Sequence, residues 1–229
     1  MGGLFSAYAW NKIWNFRHGF LLGLGNTVVT ALFGILLALL LGMLFGLMAT
    51  SGRKALKLIA RVYVEFIQNT PILLQLCFLY YALAFSKHSI GVIPTGIIAL
   101  GVYTGAYMAE VFRAGIESVP FGQFEAAKSQ GFTYFEEMYY IILPPMVNQI
   151  VNLIKNTSCL YIVGGSDLIS ITYSFVTGEK TGGAYGPAYI LCGALFFVVC
   201  FPLSHLASSW ELRLKAREAA TVRKLGGNV

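Results

Sequence analysis

The sequence predicts an all-α integral membrane protein of about five transmembrane helices, N-terminus outside and C-terminus cytoplasmic. Three observations predict it. First, apolar residues make up 57% of the 229 residues and charged residues only 11%, with a mean hydropathy of +0.69. A soluble domain is nearer to about half apolar and a quarter charged. Second, the few charges sit between long uncharged runs. Third, Lys and Arg fall unequally on the two sides that those runs define. A soluble globule of this length has too much surface for so few charges to cover. The same composition excludes disorder, collagen and a disulfide scaffold. At about 20 residues per span, no sizeable soluble domain fits beside the helices.

The elements follow in order. Residues 1–19 read as an external, interfacial segment, with Trp10, Ile13 and Trp14 at helical spacing. No charge stands between His18 and Arg53, which places the first span over 20–49. Its glycines Gly23, Gly25, Gly34, Gly42 and Gly46 suit close helix packing in a membrane. That run is too long for the apolar core of a signal peptide, so helix 1 is expected to stay in the mature protein. Residues 66–86 and 89–109 are free of charge and give spans over 60–85 and 90–112. Residues 138–166 carry only Lys155, and 181–210 carry none, giving spans over 144–165 and 186–209. Residues 20–210 thus form a transmembrane domain, with a loop at 113–143 and a basic tail at 211–229.

Orientation follows from the positive residues. One side receives Arg53, Lys54, Lys57, Arg61, Arg113, Lys128, Arg213, Lys215, Arg217, Arg223 and Lys224. The other receives Lys12, Arg17, Lys87 and Lys180. Eleven against four puts the tail and the loop between helices 3 and 4 in the cytoplasm. The net charge of +6 is therefore mostly topology, and no basic patch alternates with exposed aromatics as nucleic-acid binding would need.

Several chemistries lack their residues. The chain has no Gly-Lys dipeptide, hence no phosphate-cradling P-loop, and no His-Glu-x-x-His or Gly-x-Ser-x-Gly. Its three histidines are far apart, so no metal site is expected, and Cys77, Cys159, Cys192 and Cys200 read as small core residues. A transport or binding role is favoured over an enzyme with its own active site.

The most polar internal stretch is 113–140. Glu125 to Gln130 favours a short helix that Gly131 ends, and Thr133 with Glu136 resembles a capping box opening a second. Phe132, Phe135, Met138 and Tyr139 would give that second helix an apolar face, the mark of a contact surface.

Residues 125–144 read Glu125-Ala126-Ala127, three residues, Gly131, nine residues, Ile141, one residue, Leu143-Pro144. This resembles the EAA loop in the membrane subunits of bacterial ABC importers. Asn69-Thr70-Pro71 before Ile-Leu-Leu-Gln resembles the helix 2 segment of the polar amino acid permeases of that class. Gly105-Ala106-Tyr107, Glu110 to Gly115, and Glu117 to Pro120 resemble the same subfamily ahead of the EAA loop, and Lys155 to Ser158 resembles its helix 4 signature. Gln68 stands where that subfamily more often has a basic residue. The resemblance implies a permease of the bacterial inner membrane, one half of a pathway shared with a second copy or a sister permease. It implies a separate cytoplasmic ATPase that carries ATP and Mg, an extracytoplasmic solute-binding protein, and no cofactor in this chain. Glu125, Ala126, Ala127, Gly131, Phe132 and Phe135 would couple to the ATPase. Neighbouring possibilities are a permease for an opine or a sulfur amino acid, a gradient-driven transporter, or an intramembrane enzyme.

Polar residues inside the spans are the pathway candidates, because amides or charges facing lipid are costly. In helix 4, Asn148, Asn152, Lys155, Asn156 and Cys159 share one face. Helix 2 offers Glu65, Gln68, Asn69 and Gln75 around Pro71, which breaks the helix as at many solute sites. In helix 3, Tyr103, Tyr107 and Glu110 share a face. A zwitterionic solute needs a cation for its carboxylate and an acceptor for its amine, and Lys155 with Glu65 or Glu110 could supply them. The same groups could instead hold helices together, Lys155 pairing with Glu65, or Glu110 with Arg113. Pro71 and Pro144 are assigned structural roles.

Overall fold

The computed structural model describes residues 6–118, 134–178 and 184–226. Within them every regular element is helical: α1 (Ala7–Asn15), α2 (Arg17–Thr50), α3 (Lys54–Gln68), α4 (Ile72–Phe85), α5 (Val92–Glu117), α6 (Tyr134–Asn156), a 3₁₀ segment (Thr157–Val163), α7 (Leu168–Thr177) and α8 (Tyr185–Gly226). α2, α5 and residues 185–213 of α8 are long and apolar enough to cross a bilayer by themselves. Two further spans are broken ones. α3 and α4 meet at 100°, and residues 142–163 meet α7 at 44°. The count of about five therefore holds only if each bent pair is one crossing.

α2 and α5 form the centre. They pack along small residues: a Cβ at Gly42 would lie 2.5 Å from Cβ of Met108, and one at Gly46 would lie 2.6 Å from Cβ of Phe112. From the other side, a Cβ at Gly101 would lie 2.7 Å from Leu37. Such contact is how membrane helices gain packing energy without a hydrophobic drive between them. Gly23, Gly34, Gly42 and Gly46 are buried as the sequence suggests. Gly25 departs from that reading: it is exposed, with nothing near its side-chain position. Gly42→Leu is expected to lower the stability of the detergent-solubilised chain by about 1–3 kcal/mol through overpacking. A thermal unfolding curve on the variant measures it, with Gly25→Leu expected to match wild type.

Around this pair lie two cores. One joins α2, α4, α5, α6, the 3₁₀ segment and α8, with Leu76, Leu100, Met108, Leu153 and Leu160 inaccessible. The other gathers α1 against Phe20, Phe175 and Ala188. There Ile13 is buried while Trp14 is exposed, an amphipathic arrangement suited to an interfacial helix. All four cysteines are unpaired, Cys192 and Cys200 buried and the other two partly so.

The helix ends correct several boundaries. α5 runs on to Glu117, beyond the expected end at 112. α6 starts at Tyr134, one residue after the Thr133 expected to cap a short helix, and continues through Pro144 and Pro145. The expected second short helix and the fourth span are thus one element. A proline removes one hydrogen bond from a helix but is tolerated where neighbours re-satisfy the carbonyl it frees. α8 continues through Gly226, so the basic tail begins as helix. The sequence reading did not include α7 at all.

Candidate functional site

The site begins at the break between α3 and α4. Thr70 precedes a proline, which disfavours helical backbone at that residue, and Pro71 has no N–H to give. Pro71 therefore leaves the Ile67 carbonyl without its usual helical donor, and nearby side chains crowd onto the carbonyls of the last turn of α3. Asn69 Nδ2 donates to the Glu65 carbonyl at 2.7 Å, and Thr70 Oγ1 donates to the Phe66 carbonyl at 2.9 Å. Gln75 reaches back from α4. Its Nε2 donates to the carbonyls of Ile67 (3.0 Å) and Thr70 (3.1 Å) and to Thr70 Oγ1 (2.6 Å). Gln68 Nε2 donates to the Ala106 carbonyl of α5 at 3.3 Å, and Tyr63 OH donates to the Val102 carbonyl at 2.7 Å. Three of the predicted pathway residues, Gln68, Asn69 and Gln75, thus spend their amide N–H groups on the bend and on its tie to α5.

The charged groups gather one turn away. Between α3 and α5 lies a cleft of about 550 Å³ lined by Lys54, Lys57, Arg61, Glu65, Glu110 and Arg113, among others. The fold therefore brings Glu65 and Glu110, 45 residues apart in sequence, to one passage. Each carboxylate is already paired on its own helix. Arg61 Nε lies 2.6 Å from Glu65 Oε1. Arg113 holds Glu110 with two nitrogens and Glu117 with a third contact. The forked guanidinium suits such shared recognition. Among the described residues no ion pair crosses the cleft; both networks run along single helices.

Of the remaining candidates, Tyr107 shares a hydrogen bond with Tyr103 (3.1 Å between hydroxyls). Asn148, Asn152 and Lys155 stand exposed along one face of α6, as their spacing predicts, and Asn156 is half-buried where α6 passes into the 3₁₀ segment. Among the described residues Lys155 makes no ion pair, so the pairing with Glu65 is not present, whereas Glu110 does pair with Arg113. Pro144 is buried inside α6. Phe135 lies in the first turn of α6, while Glu125, Ala126, Ala127, Gly131 and Phe132 lie outside the described residues.

The sequence reading missed Asp167. It is 1% exposed and caps α7, accepting from the Ile169 N–H at 3.0 Å and from the Ser170 hydroxyl. Gly164, at φ +75°, ends the 3₁₀ segment in the left-handed conformation, and the Gly165 N–H bonds back to the Leu160 carbonyl at 2.9 Å. From α2, Asn26 Nδ2 donates to the Ser166 carbonyl (2.9 Å), and Thr27 Oγ1 accepts from the Leu168 N–H (3.0 Å). Gly-Gly-Ser-Asp ahead of an apolar run was a readable helix start.

The likeness to known proteins now has a structure to rest on. Residues 32–214 match the family described as the binding-protein-dependent transport system inner membrane component. The chain belongs to this family. It is 35% identical over 201 residues, covering 84% of this chain and 92% of the other, to a Bacillus subtilis protein named a "probable glutamine ABC transporter permease protein". In solved structures it is similar to an amino acid ABC transporter with histidines, at TM-score 0.77 and 30% identity over 88% of this chain and 96% of that one. It also shares its fold with a methionine ABC transporter in an inward-facing form, at TM-score 0.60 and 20% identity over 86% and 97%. The permease is accordingly a multi-pass protein of the inner membrane, a transport subunit by family.

Proposed function

We propose that this permease carries a polar amino acid across the inner membrane, one half of a pathway powered by a separate cytoplasmic ATPase that holds ATP and Mg. The observation that carries the substrate class is the cleft between α3 and α5, where carboxylates and guanidiniums line one passage. A zwitterion meets both signs of charge there, and intrahelical pairs can be opened and remade at little net change in energy. The names of the relatives support the same solute class. The N-terminus is external and the C-terminus cytoplasmic, by the positive-residue bias. The cleft then opens toward the cytoplasm, at the end of α5 that leads on to the EAA segment.

In this reading residues 121–138 dock in a groove of the ATPase, with Glu125, Ala126, Ala127 and Gly131 in closest contact and Phe132 and Phe135 beside them. An external solute-binding protein delivers the amino acid. A second copy or a sister permease faces the exposed amides of α6. Glu65, Glu110, Tyr107, Gln68, Asn69, Gln75, Asn152, Lys155 and Asn156 line the route, the three break amides through carbonyl oxygens that accept no hydrogen bond among the described residues.

The test is uptake of labelled glutamine into vesicles holding the complex purified by a tag on this chain. Uptake that needs ATP, the binding protein and a co-purified ATPase supports the reading. Uptake by the chain alone under an ion gradient would replace it with a secondary transporter. Lys155→Met is expected to lower uptake about tenfold while the complex stays assembled, the loss of one charge-assisted solute contact. Unchanged uptake would remove Lys155 from the pathway.

A further inference from the structure

α3 carries three stripes. Ala60 and Ile67 are buried toward the core. Lys54, Lys57, Arg61 and Glu65 face the cleft. Beside that face run Leu58, which also borders the cleft, Val62 and Phe66, at i, i+4 and i+8 and 62%, 59% and 66% exposed. Two features of this surface have no partner among the described residues. Arg61 and Arg113 are tied to carboxylates, but Lys54 and Lys57 make no ion pair among the described residues. The Leu58–Val62–Phe66 ridge runs beside them uncovered. At its far end Phe66 lines a second cavity of about 460 Å³ with Leu74, Phe78, Ile98 and Val102. The polar groups in that lining, Thr70 and Gln75, are those spent on the bend.

We infer that α3 holds one anionic phospholipid of the inner leaflet, its phosphate at Lys54 and Lys57 and an acyl chain along Leu58, Val62 and Phe66 into the apolar cavity. Length agrees: the thirteen residues of helix from Lys54 to Phe66 rise about 18 Å, close to one leaflet of a hydrocarbon core about 30 Å thick. The 100° turn into α4 brings protein across the far end. Charge agrees as well, with free cations at one end and an uncharged apolar cavity at the other. A soluble anion would leave the ridge bare, and an apolar protein helix would leave the two lysines uncompensated. Basic pockets between membrane helices on the cytoplasmic side suit anionic headgroups. The inference rests on the cytoplasmic placement of the start of α3 proposed above.

The experiment is native mass spectrometry of the importer complex extracted in mild detergent, wild type against Lys54→Gln/Lys57→Gln. Wild type is expected to retain about one anionic phospholipid per permease copy. The double variant should hold it roughly thirty-fold more weakly, as two basic contacts imply. Lys87→Gln, on an exposed turn, should match wild type, and inorganic phosphate should not displace the lipid. Equal retention in the double variant overturns the proposal. So does displacement by inorganic phosphate, or a complex free of lipid in which a second permease covers the ridge. Melting curves in phosphatidylcholine nanodiscs should superimpose for all three chains; a melting loss confined to the double variant would make the lysines structural and also overturn it. Failure of the importer reading would show separately, as absence of a co-purified ATPase.

Discussion

Gly131→Asp is expected to reduce amino acid uptake by about two orders of magnitude while the chain still inserts and the ATPase subunit still hydrolyses. In the EAA pattern Gly131 follows the helix-forming stretch from Glu125 to Gln130. If Gly131 ends that stretch as its sequence suggests, a glycine would let the chain turn without the strain a Cβ would bring. On the coupling role proposed above, aspartate would add bulk and a charge where the loop must seat closely on the ATPase. On that reading, losing the glycine would misplace the loop by about an ångström, enough to cost about a hundredfold when two parts must act in register. Parallel assays on reconstituted complex, uptake and phosphate release, decide it. Wild-type uptake in the variant would remove the coupling role from this loop. Loss of both activities together with loss of the complex would place Gly131 in assembly instead.

Asp167→Ala should destabilise the protein by about 3 kcal/mol, a large fraction of the stability of a typical domain. Two contributions add. A lost helix cap costs about 1 kcal/mol. A buried hydroxyl left without its acceptor, here that of Ser170, costs about 1–3 kcal/mol. The consequence reaches beyond α7, because Asn26 and Thr27 of α2 are bonded to the same turn. Asp167→Asn keeps an acceptor for the Ile169 N–H and should lose less than half as much. Thermal unfolding of the three chains in one detergent measures this. Equal melting for wild type and Asp167→Ala would show that α2 and the core alone hold the junction.

Much of this was legible in residues alone. Uncharged runs located α2, α5 and α8, because a bilayer admits few charges and the penalty is local to each span. The EAA spacing and the Asn69-Thr70-Pro71 segment pointed to the family that residues 32–214 then matched. The helical period put Asn148, Asn152 and Lys155 on one face, and they do share one. Hydropathy could not supply direction. It merged α3 and α4 into one span, although they turn by 100°, and it passed over the ten residues of α7. Short apolar helices joined at a break read the same as one long helix, since the sum over a window does not register a change of axis.

The sequence by itself determined that the chain lives in a membrane, where its main helices lie, and which family it belongs to, because composition and motif spacing are properties of the chain. The tertiary structure decided which polar groups are spent on the fold and which are brought together around one cleft. Gln75, 3.0 Å from the Ile67 carbonyl, and Asp167, beneath α7, are spent on backbone groups freed at the two breaks. Glu65 and Glu110 became neighbours across one cleft only when α3 folded against α5. A hydrogen bond is satisfied by whatever lies within about 3 Å, and that neighbour is set by the packing of helices distant in the chain.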